Sequence, residues 1–284
     1  MVRIGVLLLM VTFGFASYSQ DLVSFRVYDS QGKRASTKKL NDALKSSDLV
    51  FFGEEHNSVL SHWLTLSLLK KWNQYHIKGT VGFEMFEADQ QIVLDSLSNH
   101  QIELEDLAKH TRLWSNWSDY DPILDWAINA DLGILATNIP RKYASVVYKD
   151  GREALRKKSY FNSDFCCALD FLIDTTWSQY KKLEEMAVHM GSNDLLEAQA
   201  IKDATMAKFV IKELKLGHPC FHLNGSYHSD FMQGVPGYVL KSMPEAKVVT
   251  FTVVTAEKIE EFHEDWKGKA DYIFVLKSDF PTSY

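Results

Sequence analysis

The feature that most constrains the fold is a series of short, continuous apolar runs separated by stretches with helical character. Continuous rather than alternating apolar runs are typical of strands that are covered on both faces. Strands that alternate with helices favour a parallel sheet with helices packed on it. We therefore predict an α/β fold with a mostly parallel central sheet flanked by helices. The six predicted strands are Asp48–Phe52, Thr80–Phe86, Leu132–Thr137, Cys220–Leu223, Lys247–Val254 and Tyr272–Leu276.

Three helical regions are predicted between these strands. A helix over about Ser58–Tyr75 is apolar almost all round, which indicates burial on more than one side. Residues 87–131 are predicted to form a helical insertion, and residues 178–216 to form long helices that end at Gly217. No linker rich in Pro, Gly or Ser divides the chain. We therefore expect one domain over residues 20–284.

The N-terminus has the pattern of a signal peptide. Arg3 gives a positive start, Ile4 to Phe15 is apolar, and Ser17 and Ser19 are small residues before a cut at Gln20. We expect residues 1–19 to be removed on export to the periplasm or cell envelope. No cysteine lies near the cut to carry a lipid, and no other segment is long and apolar enough to span a bilayer.

The charge and the cysteines exclude several classes of protein. A net charge of −6 with both signs scattered argues against a nucleic-acid surface, so no nucleic-acid partner is expected. The three cysteines, Cys166, Cys167 and Cys220, do not form a spaced, even set and are interpreted as buried thiols rather than a disulfide framework.

Polar residues gather where the predicted strands end. Gly53-Glu54-Glu55-His56 follows the first strand, Glu84 lies within the second, Asn138–Arg141 follows the third, and Gly225–His228 follows the fourth. The C-terminal ends of parallel strands point to the same edge of a sheet, where ligands bind. We therefore expect these four segments to meet at one site.

The strongest candidates within this set are His56, Glu84, Arg141 and His228, with Glu54 beside them. A carboxylate in an apolar strand needs a partner or a cation, and Glu84 could form an ion pair with Arg141 or serve a ligand. Histidine can move protons near neutral pH or bind a metal. Two Gly-x-x-His elements at equivalent strand ends favour a functional site over packing.

One predicted helix carries polar residues on its apolar face. Gln199 and Asp203 lie in the middle of a face that also contains Leu196, Ala200 and Ala207. Buried polar side chains need partners, so these two either bond to internal backbone or face the site. The remaining histidines, including His62, are assigned to packing or to the surface.

At these segments the sequence resembles the ChaN-like haem-binding family, within a wider group that includes Tiki/TraB-like proteins and erythromycin esterases. The resemblance runs from about residue 40 to residue 255. It rests on the order and spacing of several motifs. These are Gly53–His56, Gly82–Phe86, Asn138–Arg141, Ala198-Gln199, Asp203–Ala207, Gly225–His228 and Gly234-Val235-Pro236.

The resemblance implies a haem-binding protein of the bacterial envelope that acts in iron or haem uptake. It also implies a homodimer that encloses stacked haems, envelope transport partners and an iron-binding tyrosine that no motif here locates. Residues expected to contact the cofactor or a small-molecule ligand are Glu55, Asn138, Tyr227, Gln199 and Asp203.

The wider group implies a different function, hydrolysis of an ester, lactone or peptide bond. In that case His56, Glu84, His228, Arg141 and Glu54 would be catalytic. The reaction would proceed with or without a divalent ion such as zinc or manganese, held by Glu54, His56, Glu84 and His228. Haem carrier, hydrolase and non-catalytic binding module all remain open at this point.

Overall fold

The computed structural model describes residues 23–190 and 195–283, and a seven-stranded β-sheet lies at its centre. The strands are β1 (Phe25–Asp29), β2 (Leu49–Glu54), β3 (Thr80–Glu87), β4 (Gly133–Asn138), β5 (Cys220–Gly225), β6 (Val248–Ala256) and β7 (Tyr272–Lys277). Their order in the sheet is β1-β7-β6-β2-β5-β3-β4. Every neighbouring pair is parallel except β1 with β7, which confirms the predicted α/β fold. The predicted signal peptide, residues 1–19, lies outside the described residues.

The strand that the sequence did not reveal is β1. It lies at the edge of the sheet and pairs only with β7, in the antiparallel direction. Of its five residues only Tyr28 is buried, so it lacks the continuous apolar run that marks the interior strands. An edge strand of this kind is held by its single neighbour rather than by burial of its own side chains.

The helices fill the connections between strands. They are α1 (Thr37–Ser46), α2 (Val59–Asn73), α3 (Gln91–Ser98), α4 (Leu107–His110), α5 (Trp117–Asn129), α6 (Arg141–Asp150), α7 (Arg152–Arg156), α8 (Ser178–Met190), α9 (Leu195–Lys215) and α10 (Val235–Ser242). Short 3₁₀ turns also occur, at Ala88–Gln90, Leu104–Asp106, Ser163–Phe165, Ser226–His228, Asp230–Met232 and Glu264–Trp266. The region predicted as a helical insertion is therefore three separate helices, α3 to α5. None of the described helices combines the length and the apolar character needed to cross a bilayer.

The two faces of the sheet are both covered, which explains the continuous apolar runs. In β2, Val50 and Phe52 enter a large cluster with helices α2, α3 and α5. Leu49 and Phe51 point the other way and pack with Met206 of α9. Full burial of such side chains stabilises the fold by about 1.5–3 kcal/mol each. The core thus fixes the direction of β2 and places the residues that follow it at the C-terminal edge of the sheet.

Candidate functional site

The polar strand ends come together on four consecutive strands, β2, β5, β3 and β4. In the register of β2 with β5, Gly53 pairs with Asn224 and Glu54 with Gly225. The two Gly-x-x-His elements therefore leave the sheet side by side. The expected meeting of segments that are distant in sequence follows from the parallel direction of these strands.

A cleft of about 870 Å³ opens above this edge of the sheet. Its floor includes His56, Glu84 and Asn138. Helix α6 contributes one wall with side chains three or four residues apart, the spacing of one helical face. A second wall comes from α9, and the loop before α5 closes a third side. The wall residues include Arg141, Ala144, Ser145, Tyr148 and Lys149 of α6, Leu195, Ala198, Gln199 and Lys202 of α9, and 112–116 of the loop.

His228 is buried beside the floor residue Glu84 and lies between two carboxylates. Its Nε2 is 3.2 Å from Glu84 Oε1, and its Nδ1 hydrogen-bonds to Asp203 Oδ1. Burial opposes the charged imidazolium, but the two carboxylates outweigh burial and raise the pKa of His228 from 6.5 to about 10. His228 is therefore a fixed cation at neutral pH, with both ring N–H groups engaged.

Glu84 is held by this cation and by the backbone. At Glu84 the regular pairing of β3 with β4 is interrupted, and Glu84 Oε2 accepts the N–H of Gly225 at 2.7 Å. Burial favours the neutral acid, yet the charge of His228 keeps the pKa of Glu84 well below its usual range. The ion-pair partner of Glu84 is thus His228, and the alternative pairing with Arg141 is not formed.

Asp203 completes the arrangement from α9. Its side chain is fully buried and also accepts a hydrogen bond from the Tyr180 hydroxyl at 2.8 Å. Burial raises the pKa of Asp203, while His228 acts in the opposite direction. The amide nitrogen of Gln199 is 3.0 Å from His228 Nδ1. The polar stripe of this helix therefore faces the site rather than internal backbone.

A second histidine–carboxylate pair lies beside the first. His56 Nδ1 is 2.9 Å from Glu54 Oε1, and the Tyr120 hydroxyl donates to the same oxygen. Glu54 is completely buried, whereas the His56 side chain keeps 38% of its exposure and lines the cleft. Burial opposes the charge of Glu54, but the hydrogen bond from His56 and the proximity of His62 lower its pKa. Burial also opposes a charge on His56, while Glu54 and Glu84 raise the pKa of that ring.

Two glycines make this close arrangement possible. A Cβ on Gly225 would stand 2.6 Å from His56 Nε2, far inside contact distance. Gly234 has a φ of +60°, which favours glycine, and a Cβ there would stand 2.4 Å from the carbonyl oxygen of His228. Both positions lie in the segments that carried the family resemblance, so part of that pattern is steric rather than chemical.

The other predicted residues divide between the cleft and its surroundings. Asn138 lies on the floor and donates its amide to the Glu84 carbonyl at 3.1 Å. Arg141 is at the rim, exposed, with its backbone N–H on Glu87. Glu55 turns away to the hydroxyl of Thr255, and Tyr227 is 37% exposed and does not line the cleft among the described residues.

The metal prediction is not supported by the arrangement of these side chains. Glu54 bonds to His56 and Glu84 bonds to His228, as two separate pairs. Across residues 23–190 and 195–283, no three or more His, Cys, Asp or Glu side chains converge in a way that could hold an ion. The donors of the predicted zinc or manganese site are thus engaged with one another.

Several residues at the site were not among the site residues predicted from the sequence. Tyr120 hydrogen-bonds to Glu54, Asn116 donates to the His56 carbonyl, and the ring of Trp114 meets the His56 ring edge-on at 4.9 Å between centroids. His62, assigned to packing, lies 3.6 Å from Glu54 Oε2. The signal for His62 was a polar side chain on a helix that is apolar almost all round, and the signal for Asp203 was a polar side chain on the apolar face of α9.

The fold is similar to that of solved protein structures. A solved structure of ChaN from Campylobacter jejuni with cofacial haem binding is 19% identical, with a TM-score of 0.68 over 90% of this chain and 98% of that chain. An erythromycin esterase mutant in its open conformation is 12% identical, with a TM-score of 0.48 over 82% of this chain and 77% of that chain. The second score is too low to support an argument. None of the curated proteins matches this chain.

The family itself is shown by sequence. The profile of the family described as haem-binding uptake, Tiki superfamily, ChaN matches residues 40–239, which contain every strand end that forms the cleft floor. This confirms the resemblance that the motifs indicated. The chain therefore belongs to the ChaN family of haem-binding uptake proteins in the Tiki superfamily.

Proposed function

We propose that this chain binds haem in the cleft above the C-terminal edge of the sheet, as an exported protein of the bacterial envelope in iron or haem acquisition. The observation that carries the proposal is the match of the haem-binding family over residues 40–239, the part of the chain that builds the cleft floor. Export itself rests on the pattern of residues 1–19 and on no structural feature.

The residues of the cleft fit a haem group. Haem needs an apolar slot, an axial ligand and cations for its two propionates. The cleft volume of about 870 Å³ lies within the range of small-molecule sites. Its apolar residues are Met85, Leu113, Trp114, Ile139, Ala144, Leu195 and Ala198. Its cations are Arg112, which is paired with Glu87 and Asp89, and Arg141, Lys149 and Lys202.

The protein would hold the group through its walls and floor. Arg141, Lys149 and Lys202 would bind the propionates by charge-assisted hydrogen bonds. Tyr148, 39% exposed on the wall of α6, and His56 on the floor each offer an atom that can serve as an axial ligand. When bound, haem would supply an iron centre whose properties those side chains tune. His228 is unsuited to ligation because both of its ring nitrogens are already bonded.

The test is a haemin titration of the purified mature protein, followed in the Soret region. We expect a saturable shift. Replacing both Lys149 and Lys202 by Gln should weaken binding about tenfold or more, because two charge-assisted contacts are lost and 1.4 kcal/mol corresponds to a factor of ten. Lys212→Gln, on an exposed position of α9 outside the cleft, is the matched control. A titration that does not saturate, or one that the double variant leaves unchanged, would contradict the proposal.

A second candidate function is hydrolysis, and the buried histidine–carboxylate pairs favour it. A fully buried Glu54 that holds the ring of His56 is also the arrangement that orients a general base. In this reading His56 is the general base that activates water, because His228 is fixed as a cation. Arg141 at the rim would stabilise developing negative charge. No step is assigned to a metal, because the donors pair with one another.

The hydrolase candidate is tested by turnover on ester, lactone and peptide substrates. Glu84→Gln should lower any turnover at least 100-fold, since it removes the carboxylate that supports both His228 and His56. The control is Glu55→Gln, one residue from the site in sequence but directed at Thr255. Full turnover in Glu84→Gln would exclude this mechanism.

A further inference from the structure

Behind His56, on the side away from the cleft, several buried polar atoms are left unpaired. Among the described residues these include Glu54 Oε2, both ring nitrogens of His62, and Asp119 Oδ2. His62 Nε2 is 3.6 Å from Glu54 Oε2, and His62 Nδ1 is 3.8 Å from Asp119 Oδ2. Each unpaired buried polar group costs about 1–3 kcal/mol, so four together require a physical reason.

The arrangement of Glu54, His62 and Asp119 resembles the one around His228. There the imidazole lies between Glu84 and Asp203. Here the imidazole of His62 lies between Glu54 and Asp119, so that a histidine is again flanked by two carboxylates. His62 keeps only 5% of its side-chain exposure and Asp119 keeps 14%. Closing each gap by less than 1 Å would give a hydrogen bond on both sides of the ring.

The position of His62 matters because Glu54 has two oxygens with different tasks. Oε1 accepts from His56 Nδ1 and from the Tyr120 hydroxyl. Oε2 has no hydrogen-bond partner in the described part of the chain, and His62 Nε2 lies 3.6 Å from it. The ring of Tyr120 packs edge-on against His62, with centroids 4.7 Å apart, and restrains its plane. A donor at Oε2 therefore fixes the rotation of the carboxylate and thereby the direction of Oε1.

We propose that His62 is a positioning residue for the cleft. By donating a ring N–H to Glu54 Oε2, it holds Oε1 against His56, so that His56 keeps its proton on Nδ1 and turns a lone pair on Nε2 toward the ligand. The hydrogen bond that one ring nitrogen makes decides the role of the other. This inference rests on the proposed function because it assumes that the ligand occupies the cleft that His56 lines.

The test reads the tautomer of His56 directly. We would label the full mature chain with ¹⁵N-histidine and record ring nitrogen shifts without ligand, identifying the His56 signals by their loss in His56→Gln. In the wild type, neutral His56 should show a protonated Nδ1 and a bare Nε2. In His62→Phe the bare-Nε2 tautomer should fall to roughly half of the neutral population, because the ring loses its preferred acceptor geometry.

Two further variants make the result specific. His62→Gln keeps an N–H donor and should retain the wild-type tautomer. His76→Phe changes a partly buried histidine that bonds to the Leu44 carbonyl, beyond the C-terminal end of α2 and so at the opposite end of this helix from His62, and should leave the His56 shifts unchanged. Unchanged His56 shifts in a folded His62→Phe protein would overturn the inference. So would a loss of the tautomer in folded His62→Gln.

The role of His62 can still be tested if the His62→Phe variant does not fold. Asp119→Ala removes the outer carboxylate at a partly exposed position and should shift the His56 tautomer in the same direction, to a smaller extent. Unchanged His56 shifts in that variant would then overturn the inference. The tautomer of His56 is measured without ligand. A failure to bind haemin would therefore refute the proposed function and leave the inference about His62 intact.

Discussion

At the scale of single residues, the site depends on charges that are buried in pairs. Each inner carboxylate is almost fully buried and bonds to a histidine, Glu54 to His56 and Glu84 to His228. An ionised carboxylate in such surroundings is costly unless it is paired, and removal of one partner leaves the other uncompensated. The pairs therefore make the floor of the cleft both rigid and sensitive to pH.

The pair of Glu84 and His228 predicts how stability depends on pH. The pKa of His228 is raised from 6.5 to about 10 in the folded protein. Its contribution to stability is therefore fully present below pH 6.5 and is lost as the pH rises through 10. We expect urea unfolding midpoints of the wild type to decline across this interval.

The matched variant for this prediction is His228→Gln. It should be less stable at neutral pH by several kcal/mol, since both carboxylates lose their cation. Its midpoints should decline less between pH 6.5 and 10 than those of the wild type. Equal declines in the two proteins would show that His228 is not charged in the folded state.

At the scale of elements, α9 connects the site to the segment that follows α7. Its Asp203 reaches His228, and on another side Lys208 Nζ donates to the carbonyls of Ser163, Asp164 and Cys166 at 3.0, 2.8 and 2.8 Å. One ammonium group thus holds the 3₁₀ turn Ser163–Phe165 and the residue after it through their backbone carbonyls. Such local turns rely on side-chain partners for their backbone groups.

We expect Lys208→Met to loosen that turn. Three carbonyls lose a charged donor, which should destabilise the protein by about 1–3 kcal/mol and speed amide hydrogen exchange in residues 163–167. Lys212→Met, an exposed position one turn later on α9, is the control and should change neither. Wild-type exchange in Lys208→Met would mean that packing alone holds the turn.

The strands and helices also differ in how well they could be predicted from the sequence. The six predicted strands match β2 to β7 within two residues at each end, because burial leaves a continuous apolar run, as in Leu49 to Phe52. The edge strand β1 was not predicted, because pairing with β7 alone requires no such run. The end of α9 was predicted from Gly217, which adopts a φ of +82°.

At the scale of the whole molecule, the open cleft predicts association on ligand binding. The cleft is open to solvent, and a second copy of the chain could cover a ligand bound there, as the family resemblance implies. We expect sedimentation velocity to show a monomer without haemin and a doubled mass with it. Protein treated with metal-free protoporphyrin tests whether iron is needed. An unchanged mass at saturating haemin would contradict the predicted homodimer.

The parallel sheet, and the edge at which the polar residues meet, could be predicted from the sequence because apolar runs and strand ends are local features. The sequence also supplied the family. The hydrogen-bond and ion-pair partners of the buried side chains could be found only in the tertiary structure. The partners Glu84 with His228, and Glu54 with His56 and Tyr120, depend on strand order and on side-chain direction, which no local pattern contains. For the same reason the sequence did not show that Arg141 lies at the rim of the cleft, or that His62, assigned to packing, lies beside Glu54 behind His56.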